Sequence, residues 1–146
     1  MNRWILAFFA LTVVVTGCSP STHFARHSEF KKAALKEVSG TDLNDYLRHS
    51  DRHVLVEFGV DGSCGRCESM RSSIVELAEK YKSGTDIVRV DFSDNVELVT
   101  KLGGSVCPTY VLFEKGRSDP SFIQSFPVSC DHLEAEMLAL LALSSD

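Results

Sequence analysis

The sequence predicts one α/β domain whose mixed, mostly parallel sheet is covered by helices on both faces. Three observations support this fold class. Short apolar runs typical of strands alternate with segments of helical spacing. The run Val54–Phe58 is apolar except at Glu57, which is typical of a central strand buried on both faces. A Cys-x-x-Cys pair, Cys64 and Cys67, directly follows that run and precedes a helical pattern, which is a usual setting for a redox motif.

The first half of the domain is expected to form two strands and two helices. Lys32–Val38 is a weak strand signal because it is rich in Lys and Glu. Thr41 and Asp42 can begin a helix that carries Leu43, Tyr46 and Leu47 on one face. The strand Val54–Phe58 then leads through the Cys-x-x-Cys loop into a longer helix. That helix has apolar residues at helical spacing until Gly84: Met70, Ile74, Leu77, Ala78 and Tyr81.

The second half is expected to complete the order β-α-β-α-β-α-β-β-α. Asp86–Phe92 has strand composition, and Val96–Leu102 is a short helix ended by two glycines. Thr109–Phe113 is a strand, and a turn within residues 114–120 returns the chain as its antiparallel neighbour, Ser121–Phe126. A final amphipathic helix, Leu133–Leu143, follows Ser129 or Asp131 as its cap.

The N-terminal residues predict export and a lipid anchor. One Arg precedes a nearly unbroken apolar run, Trp4–Val15, which is too short to span a bilayer comfortably. The following Val15-Thr16-Gly17-Cys18 resembles the lipobox of bacterial lipoproteins, in which the cysteine becomes the lipidated N-terminus. This resemblance divides the chain into a signal peptide (1–17), a lipidated tether (18–30) and the folded domain (31–146).

The lipobox resemblance also implies a location. Acyl chains on Cys18 would hold the domain on a membrane of the bacterial cell envelope, on the periplasmic side, where disulfides are permitted. Ser19 rather than Asp follows the cysteine, which resembles the pattern for sorting to the outer rather than the inner membrane. The net charge of −5 and the absence of a basic cluster argue against nucleic acid as a partner.

Two motifs together resemble the thioredoxin superfamily. Cys64-Gly65-Arg66-Cys67 follows a buried strand and opens a helix, and Cys107-Pro108-Thr109 precedes the strand Thr109–Phe113 as the family's cis-proline does. The segment TYVLFEKGR also resembles the family's last hairpin. Ser63 and Arg66 stand where thioredoxin itself has Trp and Pro. We therefore expect a thioredoxin fold, and an extracytoplasmic relative with its own partners rather than a general thioredoxin.

The resemblance implies a thiol–disulfide oxidoreductase in which Cys64 attacks and Cys67 resolves. At a helix N-terminus, unpaired amide groups favour the Cys64 thiolate, and Arg66 adds positive charge. Gly65, Arg66, Cys107, Pro108 and Thr109 would contact protein thiol or disulfide substrates. A redox partner protein would reset the pair. No organic cofactor or metal is expected, because the two sulfurs carry the electrons, and the direction of electron flow stays open.

Glu57 is the candidate acid–base residue. A carboxylate in an apolar strand beside the Cys-x-x-Cys loop is expected to have a raised pKa, which suits proton transfer from Cys67 near neutrality. The alternative is that Glu57 is exposed at the end of the strand or paired with a lysine.

The chemical role of Cys107 beyond substrate contact, and that of Cys130, stays open. If Pro108 is cis, Cys107 should lie near Cys64, as a third redox thiol, as a ligand with Cys64 and Cys67 for copper, zinc or an iron–sulfur cluster, or as a small groove residue. Cys107 and Cys130 could also pair with each other. A metal-binding module and a redox-inactive adaptor are therefore the alternative functions.

Overall fold

The computed structural model describes residues 35–143, which form a five-stranded sheet flanked by four helices. The predicted signal peptide, Cys18 and the tether lie outside these residues. The strands are β1 (Lys36–Glu37), β2 (His53–Gly59), β3 (Thr85–Asp91), β4 (Thr109–Phe113) and β5 (Pro120–Ser125). The helices are α1 (Leu43–His49), α2 (Gly65–Tyr81), α3 (Val96–Lys101) and α4 (Asp131–Leu143), and a 3-10 turn at Ser93–Asn95 precedes α3. The predicted order of elements is confirmed.

The sheet is mixed, with the spatial order β1-β3-β2-β4-β5. β3 pairs in parallel with both β1 and β2, and β4 pairs antiparallel with both β2 and β5. Helix α2 connects the neighbouring parallel strands β2 and β3, as a crossover between such strands requires. The α/β fold class is therefore confirmed, and the central strand is β2, which the sequence marked by its apolar composition.

The core has two layers, one on each face of the sheet. Val54, Val56 and Phe58 of β2 pack in a cluster that includes residues of α1 and α3. Leu55 of β2 packs in the other cluster with residues of α2 and α4. Every residue of β2 is buried because both faces are covered. Since side chains alternate along a strand, Glu57 points to the same face as Leu55, toward α2.

One element differs from the sequence prediction. A strand was expected over Lys32–Val38, whereas β1 comprises Lys36 and Glu37, both exposed, and residues 32–34 lie outside the described part of the chain. Helix α2 begins at Gly65, directly after Cys64, which confirms that the Cys-x-x-Cys motif opens a helix. Among residues 35–143, no helix combines the length and the apolar character needed to cross a bilayer.

Candidate active site

Cys64 occupies the N-cap position of α2. Its sulfur accepts a hydrogen bond from the backbone N–H of Cys67 at 3.0 Å. Unpaired N–H groups at the start of a helix carry partial positive charge, so this position favours a thiolate when the pair is reduced. The placement follows from local sequence, since a buried strand, a short loop and Gly65 lead directly into the helix.

Cys64 and Cys67 form a disulfide, and the two sulfurs differ in access. Cys67 is fully buried, whereas Cys64 is partly exposed. A large partner molecule can therefore approach the sulfur of Cys64 but not that of Cys67. This asymmetry gives the two cysteines the different roles that an attacking and a resolving thiol need.

The loop that carries the second motif lies against the disulfide. The peptide bond between Cys107 and Pro108 is cis, as expected. The hydroxyl of Thr109 donates a hydrogen bond to the carbonyl of Val106 at 2.6 Å, and the N–H of Phe126 donates to the carbonyl of Pro108 at 2.8 Å. These bonds hold the backbone on both sides of Cys107.

Three sulfur atoms converge at this site. Those of Cys64, Cys67 and Cys107 all lie within 4.8 Å of one another, and Cys107 Sγ lies 3.2 Å from Cys67 Sγ. The sequence predicted this convergence, with Cys107 near Cys64, and the structure adds the close approach of Cys107 to Cys67. After reduction, three thiolates could hold a soft metal ion. In the disulfide form, two of these sulfurs carry no thiolate charge for a metal.

Cys130 is a separate thiol. It is free, as is Cys107, so the suggested disulfide between these two residues is not formed. Cys130 packs in the cluster of α2 and α4 residues that also contains Met70 and Tyr110. Burial, together with the nearby carboxylates of Asp131 and Glu57, raises the pKa of Cys130 to about 11. Cys130 is therefore almost entirely protonated at neutral pH.

Arg66 and Phe126 form one edge of the site. The guanidinium of Arg66 lies 4.9 Å from the ring centroid of Phe126, within the range of a cation–π contact. Phe126 is half exposed and has φ 52°, a conformation that is unusual for a bulky residue. Val106, also exposed, precedes Cys107 in the neighbouring loop. The sequence assigned no role to Phe126, since it follows a strand without any chemical motif.

Glu57 is fully buried and paired with Arg89 rather than exposed or paired with a lysine. Arg89 Nε and Nη2 donate to Glu57 Oε2 at 3.0 and 2.7 Å, and the Tyr110 hydroxyl donates to Oε1 at 3.1 Å. Both partners lie directly opposite Glu57 on the neighbouring strands. The sequence reasoning missed both, although an arginine inside the apolar strand β3 was a signal that a buried acid faces it.

A series of charges leads from Glu57 toward solvent. Arg89 Nη1 also contacts Asp61 at 3.1 Å, and Asp61 in turn pairs with Arg71 of α2. Burial alone would lower the pKa of Arg89, but the carboxylates of Glu57 and Asp61 outweigh that effect and raise it, so Arg89 stays charged. A cleft of about 500 Å³, lined in part by Gly59, Asp61 and Arg89, opens to solvent beside Arg89.

Comparison with known proteins points to one family. Residues 34–137 match the family model described as Thioredoxin. The chain is 28% identical over 94 residues to the thioredoxin of Griffithsia pacifica, covering 64% of this chain and 85% of that protein. It is 30% identical over 96 residues to the chloroplastic thioredoxin Y2 of Arabidopsis thaliana, covering 66% of this chain and 57% of that protein. The crystal structure of thioredoxin f2 from Chlamydomonas reinhardtii superposes with a TM-score of 0.62 at 24% identity, covering 73% of this chain and 95% of that structure.

Proposed function

Because this chain belongs to the thioredoxin family, it is a thiol–disulfide oxidoreductase, and we propose that it exchanges disulfides with protein substrates while tethered by a lipid to a bacterial envelope membrane. The observation that carries the exchange chemistry is the disulfide between partly exposed Cys64 and fully buried Cys67 at the start of α2. The tether rests on the lipobox-like sequence ending at Cys18.

The reductive half of the exchange has two steps. The Cys64 thiolate attacks one sulfur of a substrate disulfide, which forms a mixed disulfide and releases the other substrate sulfur as a thiolate. The Cys67 thiolate then attacks Cys64 Sγ, which forms the Cys64–Cys67 disulfide and releases the second substrate thiolate. Two electrons pass to the substrate, and the reverse sequence oxidises a dithiol. A redox partner protein restores the starting state of the pair.

Glu57 is proposed to accept the proton that Cys67 loses in the second step. Glu57 lies on the same face of the sheet as Leu55, which packs with residues of α2, and Cys67 is a buried residue of that helix. Bulk water has little access to Cys67, so a buried group must take the proton. The cleft beside Arg89 and Asp61 then gives that proton a route to solvent.

Glu57→Gln is expected to slow release of the mixed disulfide at neutral pH by about a hundredfold, while attack by Cys64 changes little. The amide keeps the shape of the side chain but takes up no proton. Rapid-mixing kinetics with glutathione disulfide would resolve the two steps. Glu97→Gln, an exposed carboxylate change on α3, is the matched control. Equal slowing of both steps, or of neither, would remove Glu57 from proton transfer.

Cys18→Ala is expected to move the protein from the membrane fraction to the soluble fraction of its bacterial host. Several acyl chains bury many CH₂ groups, each worth about 0.8 kcal/mol, so their loss removes stable anchoring. Fractionation followed by immunoblotting measures the distribution, and mass spectrometry of the N-terminal peptide shows whether the lipid is present. Cys130→Ser is the matched cysteine control. A Cys18→Ala protein that stays in membranes would rule out lipidation as the anchor.

A further inference from the structure

Cys107 touches the redox disulfide but has no part in the two-step exchange described above. Its sulfur lies 3.2 Å from Cys67 Sγ, which is closer than two sulfur atoms in ordinary van der Waals contact. Cys107 is a free thiol and is partly exposed. A third thiol held against a disulfide has the ingredients for exchange with it.

Hydrogen bonds hold the backbone on both sides of Cys107. The Thr109 hydroxyl binds the carbonyl of Val106, and the Phe126 N–H binds the carbonyl of Pro108. The loop therefore presents Cys107 to buried Cys67 in the folded protein. Holding the two sulfurs close replaces a bimolecular step by an intramolecular one, and the Cys107 side chain has to turn to attack in line with the Cys64–Cys67 bond.

We propose that Cys107 is a third redox thiol that exchanges with the Cys64–Cys67 disulfide, forming a Cys67–Cys107 disulfide and freeing Cys64. The step rests on the proposed exchange function of the same site. The Cys107–Cys67 sulfur bond forms as the Cys64–Cys67 bond breaks. Cys107 loses its thiol proton and the departing Cys64 thiolate takes up one, so the oxidation level of the protein is unchanged. No outside oxidant or reductant takes part.

The surroundings of Cys107 set the rate of this step. Burial raises the pKa of Cys107, and the carboxylates of Glu57 on β2 and Asp91 on β3 raise it further. A backbone hydrogen bond from Val60 and the charge of Arg89 on β3 lower it in part. On the α2 side Cys107 faces Cys67, which does not titrate while it is in a disulfide. Only a minor fraction of Cys107 is thiolate at neutral pH, so the exchange accelerates as pH rises.

The form of the protein that carries the Cys67–Cys107 disulfide has a distinct activity. Its Cys64 is a free thiol at the mouth of the site, although the protein as a whole is still oxidised. Cys64 can then attack a substrate disulfide, but Cys67, now bonded to Cys107, cannot resolve the mixed disulfide. Another thiol of the substrate must do so, which rearranges the disulfides of the substrate without net electron transfer. The third thiol thus adds a disulfide isomerase activity, and its substrates are proteins with mispaired cysteines.

The experiment measures which cysteine of the oxidised protein reacts with a thiol reagent. The full chain is oxidised with glutathione disulfide, freed of reagent and incubated with iodoacetamide at pH 8, and peptide mass spectrometry maps the label and the remaining disulfide. We expect label at Cys64 together with a Cys67–Cys107 disulfide. The labelling rate should not depend on protein concentration, because the exchange is intramolecular. Cys107→Ser should label Cys64 at least about tenfold more slowly.

Cys130→Ser is the matched control and should label Cys64 at the wild-type rate, since Cys130 lies outside the three-sulfur cluster. Label at Cys107 with an intact Cys64–Cys67 disulfide would overturn the proposal, as would equal labelling of Cys64 in Cys107→Ser. Exchange of the Cys64–Cys67 pair with glutathione is measured separately. Its loss in the wild-type protein would contradict the oxidoreductase function, whereas its persistence without label at Cys64 would contradict the third thiol alone.

Discussion

Cys67→Ser is expected to accumulate covalent complexes with substrate proteins through Cys64, whereas Cys64→Ser is expected to form none and to exchange at the background rate of buffer alone. The reason is the difference in access between the two sulfurs, since Cys67 is fully buried and Cys64 is partly exposed. Without Cys67, the main thiol that resolves the mixed disulfide is absent. Non-reducing electrophoresis, with peptide mass spectrometry of the shifted bands, measures the complexes and identifies the joined cysteine.

Two further variants test whether the trapping is specific to the three-sulfur site. Cys130→Ser changes a buried cysteine outside the site and should neither trap substrates nor lose exchange. Cys67→Ser combined with Cys107→Ser should trap more complex than Cys67→Ser alone if Cys107 can also release a substrate held on Cys64. Complexes in Cys64→Ser that equal those in Cys67→Ser would contradict the assignment of Cys64 as the attacking thiol.

Arg89→Met is expected to lower the free energy of unfolding by about 3–5 kcal/mol, because it leaves the carboxylate of Glu57 buried without its charged partner. Glu57 has no exposed surface, and the hydrogen bond that it accepts from the Tyr110 hydroxyl does not neutralise its charge. This loss is a large part of the stability of an ordinary domain. Urea unfolding of the oxidised protein, followed by circular dichroism at neutral pH, measures it.

The matched control for Arg89→Met is Arg117→Met. Arg117 is well exposed and pairs with Glu114 and Asp119 at 3.7 and 3.6 Å, so its loss should change the unfolding free energy by less than about 1 kcal/mol. Arg89→Met combined with Glu57→Gln removes both charges and should recover much of the stability. Similar losses in Arg89→Met and Arg117→Met would show that the buried pair contributes no more than a surface pair.

The fold could be predicted because its signals are local. The all-apolar β2, the helical spacing after Gly65 and the turn before β5 each arise from a few neighbouring residues. The extent of β1 was less predictable, because an edge strand is defined by its pairing with β3, which involves Lys36 and Glu37, and not by a local apolar pattern. The lipid anchor at Cys18 stays a prediction.

The candidate site was predicted in part. The sequence marked Cys64, Cys67 and Pro108, since each belongs to a short motif. The sequence did not predict Arg89 as the partner of Glu57, because that pair depends on the parallel register of β2 and β3. A shift of one residue would turn Arg89 to the opposite face of the sheet. Phe126 was also missed, because its place over Arg66 depends on the path of the chain after β5.

Local sequence patterns were enough to predict the mixed α/β fold and a redox cysteine pair at the start of a helix. Both depend on residues that are close along the chain, where spacing and burial pattern decide the outcome. Tertiary packing was needed to bring the Cys107 sulfur within 3.2 Å of that of Cys67 and to pair Glu57 with Arg89. Those contacts join residues 40 and 32 positions apart, so they depend on strand register and loop path, which sequence patterns do not specify.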